Sequence, residues 1–241
     1  MTGHADTIRT GLTAVIADAI RAQPRTLQTT IGPSEIGVPC PRAILHKLAG
    51  TPDPRAGEAA WRPAVGTAIH AQLERWFRPH ARYLVEERVT IGYHGGQDIA
   101  GTCDLYDLET ATVVDWKTCS ASKLKAYKAN GPSPQYRVQA HLYGLGILRS
   151  TQHVPEHVAV FWLMRDGDLN KRDTHVWTEP FNPVVALDAL HRLDALHAEL
   201  RLIGLDAALD QYQPCTDPWC GWCRDITRPT TTAELFAQHL K

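Results

Sequence analysis

Three residues suited to holding a divalent cation beside a phosphate fall in one stretch, GTCDLYDLETATVVDWKT, residues 101–118. They are Asp104, Asp115 and Lys117. Thr112 to Lys117 is rich in β-branched and aromatic residues, and Gly101 to Asp107 alternates in places, so the stretch reads as two short strands joined by a tight turn. Alternation of strand side chains sets Asp115 and Lys117 on one face and Trp116 on the other. A turn centred between Glu109 and Thr110 brings Asp104 opposite Asp115. Like charges facing each other at roughly 5 Å destabilise a strand pair, and a cation between them removes that cost. Glu-Thr is not a favoured two-residue hairpin loop, so this register is an expectation for the structure to test. Asp107 and Glu109, near the turn, read as solvated loop charges.

A second chemical group lies at the C-terminal end, QYQPCTDPWCGWCRDITRP, where Cys215, Cys220 and Cys223 crowd together among prolines, glycine and two tryptophans. Thiols at this spacing in a reducing compartment are metal or cluster ligands far more often than packing. Three thiolates need a fourth. Cys40, Cys103 and Cys119 are the candidates, and Cys40 is preferred because the other two look committed to the sheet. Cys40 opens a helix beside Arg42, a setting that favours the thiolate. Four cysteines suit either Zn²⁺ or a 4Fe-4S cluster, and spacing alone does not choose.

These groups need elements to position them. Residues 6–20 carry an apolar stripe of Ile8, Leu12, Val15, Ile16 and Ile20 that predicts a packing helix. A helix from Pro63 carries Val65, Ile69, Leu73, Trp76 and Phe77, with His70 one position off the stripe and Glu74 a turn further on. From that segment alone His70 reads as a boundary histidine. Gly66 in the same helix costs propensity and suggests a close approach. Residues 82–93 read as a strand with Glu86 and Glu87 in its middle, and HGGQD as a turn. The run SASKLKAYKANGPSP, with Lys123, Lys125 and Lys128, reads as a basic linker. Residues 134–150 predict a helix with Gln139, Tyr143 and Tyr136 on a face separate from Val138, Leu142 and Leu145. Strands follow at 157–164 and 173–179, then a long core helix at 183–205.

The whole chain sets limits. Its 241 residues suffice for one large domain. Net charge is −1, so any nucleic-acid partner must be met by a local basic face or by bound metal. No apolar run approaches the roughly 18 residues of a membrane span, and the N-terminal residues lack the apolar core of a signal peptide. The expected compartment is the cytoplasm, with the six cysteines as ligands or thiols rather than disulfides.

In order, the chain presents Cys40-Pro-Arg, Gly66-Thr-Ala-Ile-His70, Gly101-Thr-Cys-Asp104, Val114-Asp115-Trp116-Lys117-Thr118, Gln139 with Tyr143, and the cysteine triplet. This ordered set resembles the RecB-like nucleases of the PD-(D/E)xK superfamily, in the iron–sulfur branch that includes the CRISPR-associated exonuclease and related phage exonucleases. The resemblance spans about residues 30 to 225. It implies an α/β fold of restriction-endonuclease-like type: a central mixed β-sheet flanked by helices, with a four-cysteine site joining the N-terminal helix to the C-terminal segment. The implied organisation is one nuclease domain over 1–241, with a core at 63–205, the Cys40 subregion at 30–60 and a cluster-binding segment at 206–241. It further implies that Asp104, Asp115, His70 and the Trp116 carbonyl hold Mg²⁺ or Mn²⁺, that Lys117 orients or deprotonates the attacking water, and that Gln139 positions the site or the DNA. Cys40, Cys215, Cys220 and Cys223 would bind a 4Fe-4S cluster. Here the four-residue gap precedes the close cysteine pair, whereas many members of the branch place the pair first, and this keeps zinc as the alternative occupant.

Residues and resemblance together predict a metal-dependent DNA exonuclease acting at single-stranded ends, alone, with a protein partner or as a homo-oligomer, and without a membrane. Two rivals use the same residues: a nucleic-acid-binding or assembly subunit with a vestigial nuclease core, and a structure-specific endonuclease on the same fold.

Overall fold

The computed structural model describes residues 2–23, 30–55 and 58–223. Residues 224–241 of the expected C-terminal segment lie outside the described residues. A mixed five-stranded sheet organises the rest, in the order β1 (Tyr83–His94), β2 (Gln97–Asp107), β3 (Thr112–Cys119), β4 (His157–Met164) and β5 (Thr174–Pro180). All neighbouring pairs are antiparallel except β3–β4. Parallel strands need a crossover, and here it is made by α5 (Ala121–Asn130) and α6 (Pro134–Ser150).

Helices cover both faces. On one, α6 is buried from Gln139 to Ile147 and packs with Val89, Tyr106, Val113, Val160 and Trp162. On the other, α4 (Trp61–Phe77) lays Leu73, Ile69 and Phe77 on Leu105, Trp116 and Phe161. A third cluster joins α2 (Pro33–Ile36), α3 (Pro41–Leu48), α7 (Pro183–Ile203) and α8 (Leu205–Asp210) to one end of α6 and the β1–β2 turn. No helix among the described residues is long and apolar enough to cross a membrane.

Two expectations are corrected, while the long helix expected at 183–205 is α7, Pro183–Ile203, which Gly204, at φ 79°, separates from α8. The stretch read as a basic linker is helical over Ala121–Asn130, because Ala, Leu and Lys are good helix formers and Gly131, at φ 72°, supplies the stop. The first helix, α1 (Thr2–Arg21), leans on α4 and buries Ile20, while Ile8, Leu12, Val15 and Ile16 stay exposed, so most of its stripe is not core.

Candidate functional site

The β2–β3 hairpin keeps the anticipated register through a four-residue loop, Leu108–Ala111, in which Ala111 adopts φ 47°. Leu105 faces Val114, Tyr106 faces Val113 and Asp107 faces Thr112. The regular pairing ends there, one step before Asp104 and Asp115. Instead, the Asp104 carboxylate takes over: its Oδ2 accepts the Trp116 N–H at 2.8 Å.

The same row extends to the other neighbour of β2. Val85 pairs with Leu105 and Glu87 with Cys103, so Glu86 stands at the level of Asp104, and its own backbone is turned to φ 53°. Glu86, Asp104 and Asp115 therefore occupy one row across three strands. A non-glycine residue at positive φ in mid-strand is uncommon and marks a constrained position.

Side chains from the two flanking helices reach this row. From α4, His70 Nδ1 lies 3.4 Å from Asp104 Oδ1. Donor atoms of His70, Glu86 and Asp104 all lie within 4.8 Å of one another. From α6, Gln139 Nε2 donates to Asp115 Oδ1 at 3.0 Å. The Lys117 ammonium rests against Asp115 Oδ2 and sits 5.0 Å from the centre of the Tyr136 ring. Asp115 is only 1 % exposed, and its Oδ2 has no properly oriented hydrogen-bond donor. Gly101 lets the walls close: a Cβ there would stand 2.9 Å from Pro33 Cγ and 3.1 Å from Tyr143 Cε1.

The electrostatics follow from this crowding. Burial, with the neighbouring Asp104 charge adding, pushes Glu86 up to about 7. Burial likewise pushes Asp115 up to about 6, the Lys117 charge opposing and Asp104 reinforcing. Burial alone would lower His70, but its bond to Asp104 and the surrounding carboxylates outweigh this and raise it. His70, Glu86 and Asp104, with Asp115 beside them, are placed where they could hold a hard divalent cation. Oxygen donors with one imidazole fit Mg²⁺ or Mn²⁺.

The structure thus brings together Asp104, Asp115, Lys117, His70 and Gln139. Trp116 contributes its N–H to Asp104, while its ring packs on the opposite face against Phe77 and Phe161. Tyr143 lines the cavity beside Gln139 and is held well above the ordinary phenol range by burial. Glu86 is absent from the predicted ligands. A signal existed: a pair of adjacent glutamates in the middle of the strand that precedes the Asp104 strand. Asp107 is also corrected. It is buried, not solvated, and accepts from Arg82 Nε at 2.7 Å, Thr110 Oγ1 at 2.9 Å and Glu109 N at 3.0 Å. These bonds, led by Arg82, hold its carboxyl down to about 2. It fixes the turn that sets the register.

The cysteine site forms where α3 begins. Cys40, at the position preceding its first turn, has Sγ 3.6 Å from Cys223 Sγ and 4.0 Å from Cys220 Sγ. With Cys215, the four sulfurs lie within 4.8 Å of one another. Cys103 and Cys119 are buried elsewhere in the sheet. Burial, aided by the neighbouring thiols, pushes the Cys40 thiol up. Bound to a metal they would be thiolates. Arg42 Nη1 donates to Leu209 O (2.7 Å) and Tyr212 O (3.2 Å), Arg192 donates to Val38 O (2.9 Å) and Pro39 O (3.0 Å), and Trp222 stacks on His46 at 4.2 Å.

No family model matches this chain, and no curated protein matches it in sequence. Solved structures match in fold. The crystal structure of SSO0001 aligns over 90 % of this chain and 96 % of its own, at TM-score 0.52 and 15 % identity. An alkaline exonuclease from Laribacter hongkongensis, LHK-Exo, aligns over 76 % of this chain and 93 % of its own, at TM-score 0.51 and 10 % identity. The same enzyme in complex with dAMP aligns equally well, at 11 % identity. The chain therefore has an α/β fold also used by exonucleases, with a mixed five-stranded sheet between helices and four cysteines gathered at one end.

Proposed function

We propose that this protein is a metal-dependent DNA exonuclease of the RecB-like type, acting at single-stranded ends. The observation that carries this reading is the row Glu86–Asp104–Asp115, with Lys117 against Asp115 and His70 against Asp104. Its fold, shared with an alkaline exonuclease and with that enzyme bound to dAMP, supports a nucleic-acid substrate.

Asp104, Glu86, His70 and Asp115 would hold Mg²⁺ or Mn²⁺, with the Trp116 carbonyl as a further ligand. Such an ion supplies a nucleophilic water and neutralises charge on the attacked phosphate. The chain's own groups do the rest. Gln139 fixes the Asp115 carboxylate through Oδ1, and the Lys117 ammonium rests against its Oδ2. Trp116 N–H fixes Asp104 in the same way. Lys117, held over the Tyr136 ring, brings fixed positive charge to the reacting phosphate and orients the attacking water.

Cys40, Cys215, Cys220 and Cys223 form a clasp between the two ends of the chain. Resemblance implies a 4Fe-4S cluster. One observation favours a single zinc ion instead: a tetrahedron with Zn–S near 2.3 Å has edges of about 3.8 Å, matching the 3.6 and 4.0 Å separations. Metal analysis with visible absorption decides. A brown protein with iron and sulfide establishes the cluster; a colourless protein with one zinc establishes the ion.

The test of function is cleavage of linear and circular single-stranded DNA in Mg²⁺ or Mn²⁺. Degradation of the linear form alone supports the exonuclease. Cutting of the circle would make it an endonuclease, and binding without cleavage a vestigial subunit.

A further inference from the structure

The two sides of the carboxylate row differ in charge. Toward β1 lies a cavity of about 530 Å³ whose wall includes Glu74, Glu86, Asp98 and Asp104, with Arg88 the only arginine or lysine beyond Lys117 among the described residues. Toward α3 lies a cleft of about 650 Å³ lined by Lys47, Arg55, Arg62, Lys117 and Arg165 against a single carboxylate, Glu35. The two share Ser34, Thr67, His70, Lys117 and Gln139, so they meet at the site. Among the described residues Glu35 is engaged by Lys47 at 2.7 Å and Arg55 lies 3.5 Å from Asp53. Arg62 and Arg165 have no carboxylate partner among the described residues, and Arg165 donates only a long bond, 3.4 Å, to Thr118 O. Arg62 stands exposed on the first turn of α4. The lysines of α5 do not take this role: Lys128 donates to the carbonyls of Lys171 and Arg172, in a separate hollow with Lys125.

Phosphates of a nucleic-acid strand seek unpaired guanidinium groups and avoid carboxylate walls. On the proposed nuclease reading, we infer that the substrate strand lies only in the Lys117-side cleft, with its phosphates held by Arg62 and Arg165, and that the acidic cavity takes no more than the terminal nucleotide. A cavity of about 530 Å³ is of small-molecule size. In the absence of a cation its acidic wall disfavours a continuing polyanion. End dependence then follows from the charge division of the cleft. Further along the basic side, Lys47, Arg55 and Gln135 also line the hollow beside Cys215, Cys220 and the exposed Trp219.

The experiment measures binding of a fluorescent 20-nucleotide single strand in EDTA across a salt series, for the wild-type full chain, Arg62→Ala, Arg62→Ala with Arg165→Gln, and Arg88→Ala. Each lost phosphate contact lowers the salt slope by about 0.7, so the double variant loses about 1.4. Its affinity falls about tenfold at low salt. Arg62→Ala alone, an exposed position that does not threaten folding, lowers the slope by about 0.7. Arg88→Ala removes the same charge on the acidic side, where no more than the terminal nucleotide enters, and lowers the slope by no more than Arg62→Ala alone. Equal losses from Arg88→Ala and the double variant would show that the strand spans both sides, and would overturn the inference. So would a double variant that binds like wild type. A wild-type protein that neither binds nor cleaves DNA would instead refute the nuclease reading itself.

Discussion

The carboxylate row and the cysteine clasp are both clusters of groups suited to holding a metal, built by opposite means. The row is local. Glu86, Asp104 and Asp115 lie on three consecutive antiparallel strands, and two hairpin registers set their spacing. The clasp is remote in sequence. Cys40 meets Cys223 only because α3, α7 and α8 pack together, with Arg42 and Arg192 stitching the intervening backbone. The difference teaches where each site's energy goes. Ordered strands hold like charges together at a cost that a cation would relieve. The thiols sit on the chain's ends, where closing a long loop is the larger cost and a bound metal would contribute directly to folding.

That contrast can be broken by substitution, from large effects to small. Asp115→Asn should lower cation-dependent cleavage by about 10³-fold or more, yet leave the metal-free melting temperature unchanged or raised, since one repelling charge is gone. Cleavage assays and thermal melts check both halves. Cys223→Ser should do the reverse, lowering the melting temperature by about 5–10 °C with a much smaller loss of cleavage below that temperature. A catalytic collapse without destabilisation would show that the clasp is part of the reaction site. Glu86→Gln should weaken Mn²⁺ binding by about 10–100-fold, measured by calorimetry. Gln139→Ala, which frees Asp115 Oδ1, should cost about tenfold in turnover.

The smallest effect concerns the turn. Asp107 is held down to about 2 against an ordinary 3.8. Its folded value is depressed, so its contribution is fully present above about pH 4 and is lost as pH falls toward 2. Asp107→Asn should flatten acid unfolding in that window, as followed by circular dichroism.

Much of this was legible in the sequence, for physical reasons that differ by element. Strand periodicity and a symmetric turn around Glu109 and Thr110 predicted the Leu105–Val114 register, although the loop has four residues rather than two. The order of Cys40, His70, Asp104, Asp115 and Lys117 pointed to sites that the fold assembles. Asp107 was misread because its partner, Arg82, is 25 residues away and sequence spacing carries no sign of that ion pair. Glu86 matched the family's acidic strand position only loosely and stayed outside the predicted ligands, because its place beside Asp104 depends on which strand pairs with β2, a tertiary fact. Lys123–Lys128 was read as a linker from its charge, when its helix propensity was the stronger signal. The stripe of α1 was assigned to the core, yet periodicity reports amphipathicity and not what covers it.

The most direct test of the central claim is hydrolysis of a 5′-labelled linear single strand, with Mg²⁺ or Mn²⁺ and with EDTA, by wild-type protein, Asp104→Asn, Asp115→Asn and Lys117→Met. The account predicts cleavage by wild type only when the cation is present, and loss of it in all three folded variants. Undiminished cleavage by Asp115→Asn and Lys117→Met, or cleavage by wild type in EDTA, would contradict it.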